Sequence, residues 1–114
     1  MTRGEIYRTR DVLAERGFKA GYFVVVSRDF IAENEDVLTV VCAPVYSREI
    51  GLDTEVQVGP NDGFPKDSVI RCDFVQLLFK KQLRNYFGKL SEEKMRRVNR
   101  ALRLALDCGP TLVD

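Results

Sequence analysis

Arg3-Gly4-Glu5-Ile6-Tyr7 begins the ordered pattern of this chain, and its reading decides the fold. Ile6 and Arg8 alternate with Glu5 and Tyr7, the period of a strand, so a first strand is expected over residues 4–9. A glycine at such a start allows close backbone approach, as where a small barrel begins. Three more strand-like runs with polar ends follow in order: Tyr22-Phe23-Val24-Val25-Val26-Ser27-Arg28, Val40-Val41-Cys42-Ala43-Pro44-Val45-Tyr46-Ser47 and Ser68-Val69-Ile70-Arg71-Cys72-Asp73. The run from Gly21 to Asp29 is too continuously apolar to be half exposed and predicts a buried strand, as does Val37 to Val45.

The segments between these runs are also legible. Arg10 to Ala20 is a charge-rich connection containing Gly17, and a loop of that length in so small a domain is more often functional than idle. Ala32-Glu33-Asn34-Glu35-Asp36 reads as a polar linker. Leu52 to Val58 alternates apolar and polar residues, as expected of a strand with one wet face. Gly59-Pro60-Asn61-Asp62-Gly63 is a dense turn signal. Val75 to Phe79 is a short strand, Lys80-Lys81-Gln82 has the composition of a helical turn, and Asn85-Tyr86-Phe87-Gly88 carries no clear pattern.

The last element is helical. Ser91 is a good N-cap, Glu92 and Glu93 suit the positive end of the dipole, and Leu90 and Met95 have hydrophobic-staple spacing. Met95, Val98, Leu102 and Ala105 form one apolar stripe, with Arg96, Arg97, Arg100 and Arg103 around it. Cys108-Gly109-Pro110 is expected to stop it. Many short strands and one terminal helix predict a mainly β fold, a small bent barrel covered on one side by the helix.

Composition narrows the chemistry. The chain has 114 residues, 45% of them hydrophobic, which suits one domain with a modest core. Eighteen Lys and Arg against 17 Asp and Glu give a formal charge of +1, so any nucleic-acid surface must be local. The chain has no histidine, which excludes Ser-His-Asp, Cys-His and paired-histidine mechanisms. Without histidine or a CxxC spacing, the three cysteines make a zinc site an unattractive reading, and Cys42 and Cys72 read as buried small hydrophobes. No cofactor is expected. Met1-Thr2-Arg3-Gly4 lacks an apolar signal region and no stretch approaches a membrane span, so the chain reads as cytoplasmic.

The order of strands and helix resembles the MazF/PemK/Kid family of toxin endoribonucleases over roughly residues 3 to 107. The resemblance implies an SH3-like barrel of the CcdB/MazF type, filling 1–114 as a single toxin domain. It implies a metal-independent, sequence-specific endoribonuclease that cuts single-stranded mRNA through 2′-OH attack. The implied partners are a second copy of the chain and a cognate antitoxin whose disordered acidic tail covers the RNA groove. Arg71 and Asp73 look like the catalytic RCD segment of Kid. Tyr46 and Ser47 follow Pro44-Val45 where relatives often read Pro-x-Thr, and Arg48 beside them is a phosphate contact.

Cutting RNA without a metal requires a base for the 2′-hydroxyl, donors for the phosphorane and an acid for the leaving oxygen. Arg71, Asp73, Tyr46 and Ser47 are therefore the candidate catalytic residues, and Lys19, Arg16, Arg48 and Gln76 the candidate RNA contacts. The family's Arg-Pro before its second strand corresponds here to Gly21-Tyr22, so Lys19 or Arg16 is the expected replacement cation. Phe74 and Gln76 stand where Kid has Gln and Arg. The alternative reading is a non-hydrolytic relative that binds antitoxin, RNA or DNA gyrase.

Overall fold

A computed structural model describes residues 1–9 and 21–108. It contains seven strands and two α-helices: β1 (Glu5–Arg8), β2 (Tyr22–Val25), α1 (Asp29–Ala32), β3 (Thr39–Tyr46), β4 (Glu55–Val58), β5 (Ser68–Arg71), β6 (Gln76–Phe79), β7 (Asn85–Lys89) and α2 (Glu92–Leu106). The Arg10–Ala20 connection and Gly109-Pro110 lie outside the described residues. The strands form one antiparallel sheet in the order β4-β5-β3-β2-β1-β7, with β6 also paired to β3. The mainly β fold with a C-terminal helix is thus present, as a bent barrel-like sheet whose end strands β4 and β7 are not paired to each other.

The central parts of the runs expected to be buried are so, while Arg28, Asp29 and Leu38 at or near their ends are exposed. Along β2 and just beyond it, Val24 and Val26 join one apolar cluster and Phe23 and Val25 the other. Along β3, Ala43 and Val45 join the first and Val40 and Cys42 the second. Helix α2 lays Val98 and Ala101 into the first cluster, with Met95 and Leu102 packed against it. Ser91 caps α2 by accepting a hydrogen bond from the Lys94 amide at 3.2 Å. Gly4 has the permissive role expected of it: its φ is +92°, and a Cβ there would meet Met95 Sδ at 3.1 Å.

Several boundaries differ from the sequence reading. The second strand stops at Val25, and Asp29–Ala32 forms a short helix. Asp29 is held there because its Oδ1 accepts from the Arg3 amide at 2.7 Å. The fourth strand starts at Glu55 rather than Leu52, because the Glu55 carboxylate gathers the amides of Ile50, Gly51 and Leu52 into a turn. Asn85–Lys89 is a strand by virtue of its pairing with β1, which overrides weak local propensity. Helix α2 ends at Leu106 and is capped by Asp107, in the left-handed conformation at φ 52°, before Gly109 is reached.

Side chains close the side of the barrel that the backbone leaves open. Phe64, just beyond β4, packs on Phe87 of β7 with ring centroids 5.5 Å apart, and both meet Tyr22 of β2 at 5.5 and 4.6 Å. Phe64 is 3% exposed, so truncating it opens a core-sized cavity. Phe64→Ala is expected to cost about 3–5 kcal/mol in denaturant unfolding. A loss below about 1 kcal/mol would show that this aromatic seam does not hold the two ends of the sheet together.

Candidate active site

Strand β5 ends at Arg71, and a 3-10 turn over Cys72–Phe74 begins at once. Cys72 turns its side chain into the core, fully buried, while its amide donates to the Thr54 carbonyl at 3.0 Å. This anchor curls Asp73 back toward Arg71. The two side chains meet as a forked pair, Arg71 Nε to Asp73 Oδ1 at 2.9 Å and Nη2 to Oδ2 at 2.7 Å. The strand-like run expected over Ser68–Asp73 ends at Arg71, and it is the turn that brings the two side chains together. The hydrogen bonds from Arg71 hold the Asp73 carboxyl below its ordinary range, and those same bonds raise the Arg71 guanidinium.

Tyr46 and Ser47, at and just past the end of β3, lie beside this pair. The Arg71 guanidinium stands 5.9 Å from the Tyr46 ring centroid, and Phe74 tilts against the same ring at 6.3 Å. Tyr46, Ser47, Arg48, Glu49, Ile50 and Arg71 line an open cleft of about 540 Å³. Its outer wall depends on Glu55, the β4 residue directly across from Arg71. Glu55 Oε2 accepts from Ile50 at 2.9 Å, and Oε1 accepts from Gly51 and Leu52 at 2.6 Å each. Desolvation raises this carboxyl, but the three amides together outweigh it and leave the group below its ordinary range.

A second cleft, of about 520 Å³, adjoins the first through Tyr46 and Ser47. Arg8, Tyr22, Phe64 and Lys66 stand on its walls. The Arg8 guanidinium lies 5.6 Å from the Tyr22 ring centroid, within cation–π range.

Of the expected site residues, Arg71, Tyr46, Ser47 and Arg48 line one cleft, with Asp73 bonded to Arg71 at its edge. Gln76 is elsewhere. On β6 it pairs with Cys42 of β3, and its buried amide oxygen and nitrogen have no hydrogen-bond partner among the described residues. Lys19 and Arg16 lie outside the described residues. Among the described residues, no three of His, Cys, Asp and Glu gather as a metal ligand set, and no helix is long and apolar enough to cross a membrane. Burial pushes the Cys42 and Cys72 thiols up to about 12, which keeps them protonated.

The family model of PemK-like, MazF-like toxins of type II toxin–antitoxin systems matches residues 2–106. The chain belongs to this family. It is 33% identical over 108 residues to the probable endoribonuclease MazF5 of Mycobacterium tuberculosis, covering 94% of each. It is 29% identical over 104 residues to the endoribonuclease MazF4 of the same organism, covering 91% of this chain and 90% of that one. A mycobacterial endoribonuclease solved in complex with its cognate antitoxin superposes at a TM-score of 0.80 and 27% identity, over 96% of this chain and 98% of its own. A MazF from Deinococcus radiodurans, 19% identical, shares the fold at a TM-score of 0.74 over 94% of this chain and 96% of its own.

Within the family fold, the sequence reading passed over Arg8, Lys66 and Glu55. Arg8 carried a usable signal, a cation on the strand face that two residues earlier holds the fully buried Ile6. Glu55 carried little, since a glutamate on an alternating strand reads as solvated.

The depressed Asp73 carboxyl sets a pH dependence. Its stabilising effect is fully present above the unfolded value of about 3.9 and is lost as pH falls through the lower folded value. Asp73→Asn is expected to remove that part of the acid limb of a melting-temperature profile. Because the pair is partly exposed, with side chains 18% and 30% accessible, the variant is expected to lose under about 1 kcal/mol at neutral pH. An acid limb identical to wild type would show that the pair contributes nothing to folding.

Proposed function

We propose that residues 1–114 form a single toxin domain that cuts single-stranded mRNA at specific sequences, without a metal, by attack of the ribose 2′-hydroxyl on the adjacent phosphate. The observation that carries this reading is the Arg71–Asp73 fork set against Tyr46 at the mouth of an open cleft. The curated relatives named above are endoribonucleases, which supports the same activity here.

The roles follow from the charges. Asp73 stays ionised and can accept a proton, with the 2′-hydroxyl as its target. Arg71, whose proton is held more tightly than usual, serves as a donor to phosphorane oxygens rather than as an acid. Its pair with Asp73 uses Nε and Nη2, leaving Nη1 outside that pair for a phosphate. Tyr46 and Ser47 supply hydroxyl donors for the scissile phosphate and departing 5′-oxygen, and Arg48 contacts the backbone.

The chain is further proposed to act in the cytoplasm as a homodimer and to be neutralised by a cognate antitoxin. Leu38, Leu77 and Phe79 are exposed apolar side chains at and beside the β3–β6 pairing, a surface suited to cover by a second copy. The structural relative bound to its antitoxin supports the second partner. A disordered acidic tail suits a cleft that presents Arg71, Arg48 and Arg8.

Two experiments test the chemistry. Arg71→Ala is expected to lower kcat/KM by about 2–4 kcal/mol of transition-state stabilisation. Cleavage at the wild-type rate would make Arg71 part of a surface ion pair only. An oligonucleotide with one 2′-deoxyribose 5′ to a mapped cut is expected to resist cleavage there. A cut at that linkage would contradict 2′-OH attack.

A further inference from the structure

Two donors of Arg71, Nε and Nη2, are taken up by Asp73, so a strand of RNA crossing this surface gains from a further cation. Arg8 is placed to supply it. The backbone of Arg8 is fixed on two sides, paired with Tyr22 of β2 and Asn85 of β7. The Thr9 amide donates to the Gly21 carbonyl at 3.0 Å, and Asn85 Nδ2 donates to the Arg8 carbonyl at 3.3 Å. Its side chain is exposed, and among the described residues it has no carboxylate partner.

What holds the Arg8 guanidinium is the face of Tyr22, 5.6 Å from ring centroid to guanidinium carbon. That ring is itself braced, edge-on against Phe64 at 5.5 Å and tilted on Phe87 at 4.6 Å. A cation laid on a packed aromatic face loses little rotamer freedom when it meets a ligand, and it keeps its planar fork of donors for that ligand. Lys66 lines the same cleft, also exposed and without a carboxylate partner among the described residues. The cleft's volume of about 520 Å³ falls in the ligand-site range of about 300–1,000 Å³. Tyr46 and Ser47 belong to this cleft and to that of Arg71, so one strand can occupy both.

Resting on the ribonuclease reading above, we infer that Arg8 is a substrate-contacting residue that binds, through its guanidinium fork, a backbone phosphate of the RNA next to the scissile one. Lys66, lining the same cleft, adds a point charge for that phosphate. The arrangement puts a bidentate cation beside Gly21-Tyr22, on the neighbouring strand β1 rather than in the loop that precedes β2.

The test is fluorescence-anisotropy binding of full-length protein to a single-stranded RNA with methylated 2′-hydroxyls, across a salt series. The same RNA unmodified is cut in parallel. Arg8→Gln is expected to weaken binding about tenfold and to lower the slope of log affinity against log salt by about 0.7. Arg8→Lys keeps the charge but not the fork, and is expected to keep the wild-type slope while binding several-fold more weakly. It carries the test if Arg8→Gln does not fold. If wild type binds and cuts RNA but Arg8→Gln matches it in affinity and slope, the Arg8 assignment is overturned while the ribonuclease reading stands. If Arg8→Lys binds as tightly as wild type, the forked contact is overturned. A wild-type protein that neither binds nor cuts any RNA overturns both readings.

Discussion

Everything in this fold hangs on the backbone hydrogen bonding of one strand, β3. At eight residues it is the longest strand among the described residues, and of those strands it alone pairs with three others. Residues 42–44 pair with β2, residues 39–42 with β6, and Val45 and Tyr46 with β5. Pro44, which has no amide to donate, sits between the last pairing to β6 and the first to β5, where an amide is least missed. The change of partner bends the sheet. It also fixes where β3 ends, and so where Tyr46 and Ser47 emerge beside Arg71.

The electrostatics of the cleft follow from that placement. With a net charge of +1, the protein has no general attraction for nucleic acid. Its cations are instead arranged locally: Arg71 tied to Asp73, Arg48 at the loop start, and Arg8 on Tyr22. Glu55 sits among them as a firmly ionised carboxylate whose oxygens hold three backbone amides, and its charge helps raise the Arg71 guanidinium. A carboxylate used this way shapes a wall and keeps its charge. Where the family's Arg-Pro would stand the chain has Gly21-Tyr22, and β1 brings Arg8 onto the Tyr22 ring there.

The strongest sequence signals were those with a single physical cause. Gly4 announced a close approach, and Met95 is what approaches it. The unbroken apolar runs announced burial on both faces, and the two clusters on β2 and β3 bear this out. What escaped was decided by contacts distant in sequence or by side chains competing with the strand pattern. Asp29 leaves the strand for a helix end that the Arg3 amide secures. Leu52–Thr54 gives up its alternation to the Glu55 carboxylate. Of the site, Arg71 and Asp73 were singled out together by the resemblance of their segment to RCD, although a turn rather than a strand makes them meet. Gln76 was drawn into the candidate set by its position after Asp73, but β6 aligns it with Cys42 instead.

The central claim is that this cleft cuts RNA with its own side chains. The measurement that tests it most directly is incubation of purified, antitoxin-free protein with a long RNA in EDTA, followed by primer extension. The account predicts discrete cuts that recur at one short sequence and survive the chelator. Intact RNA at protein levels that arrest growth would contradict it.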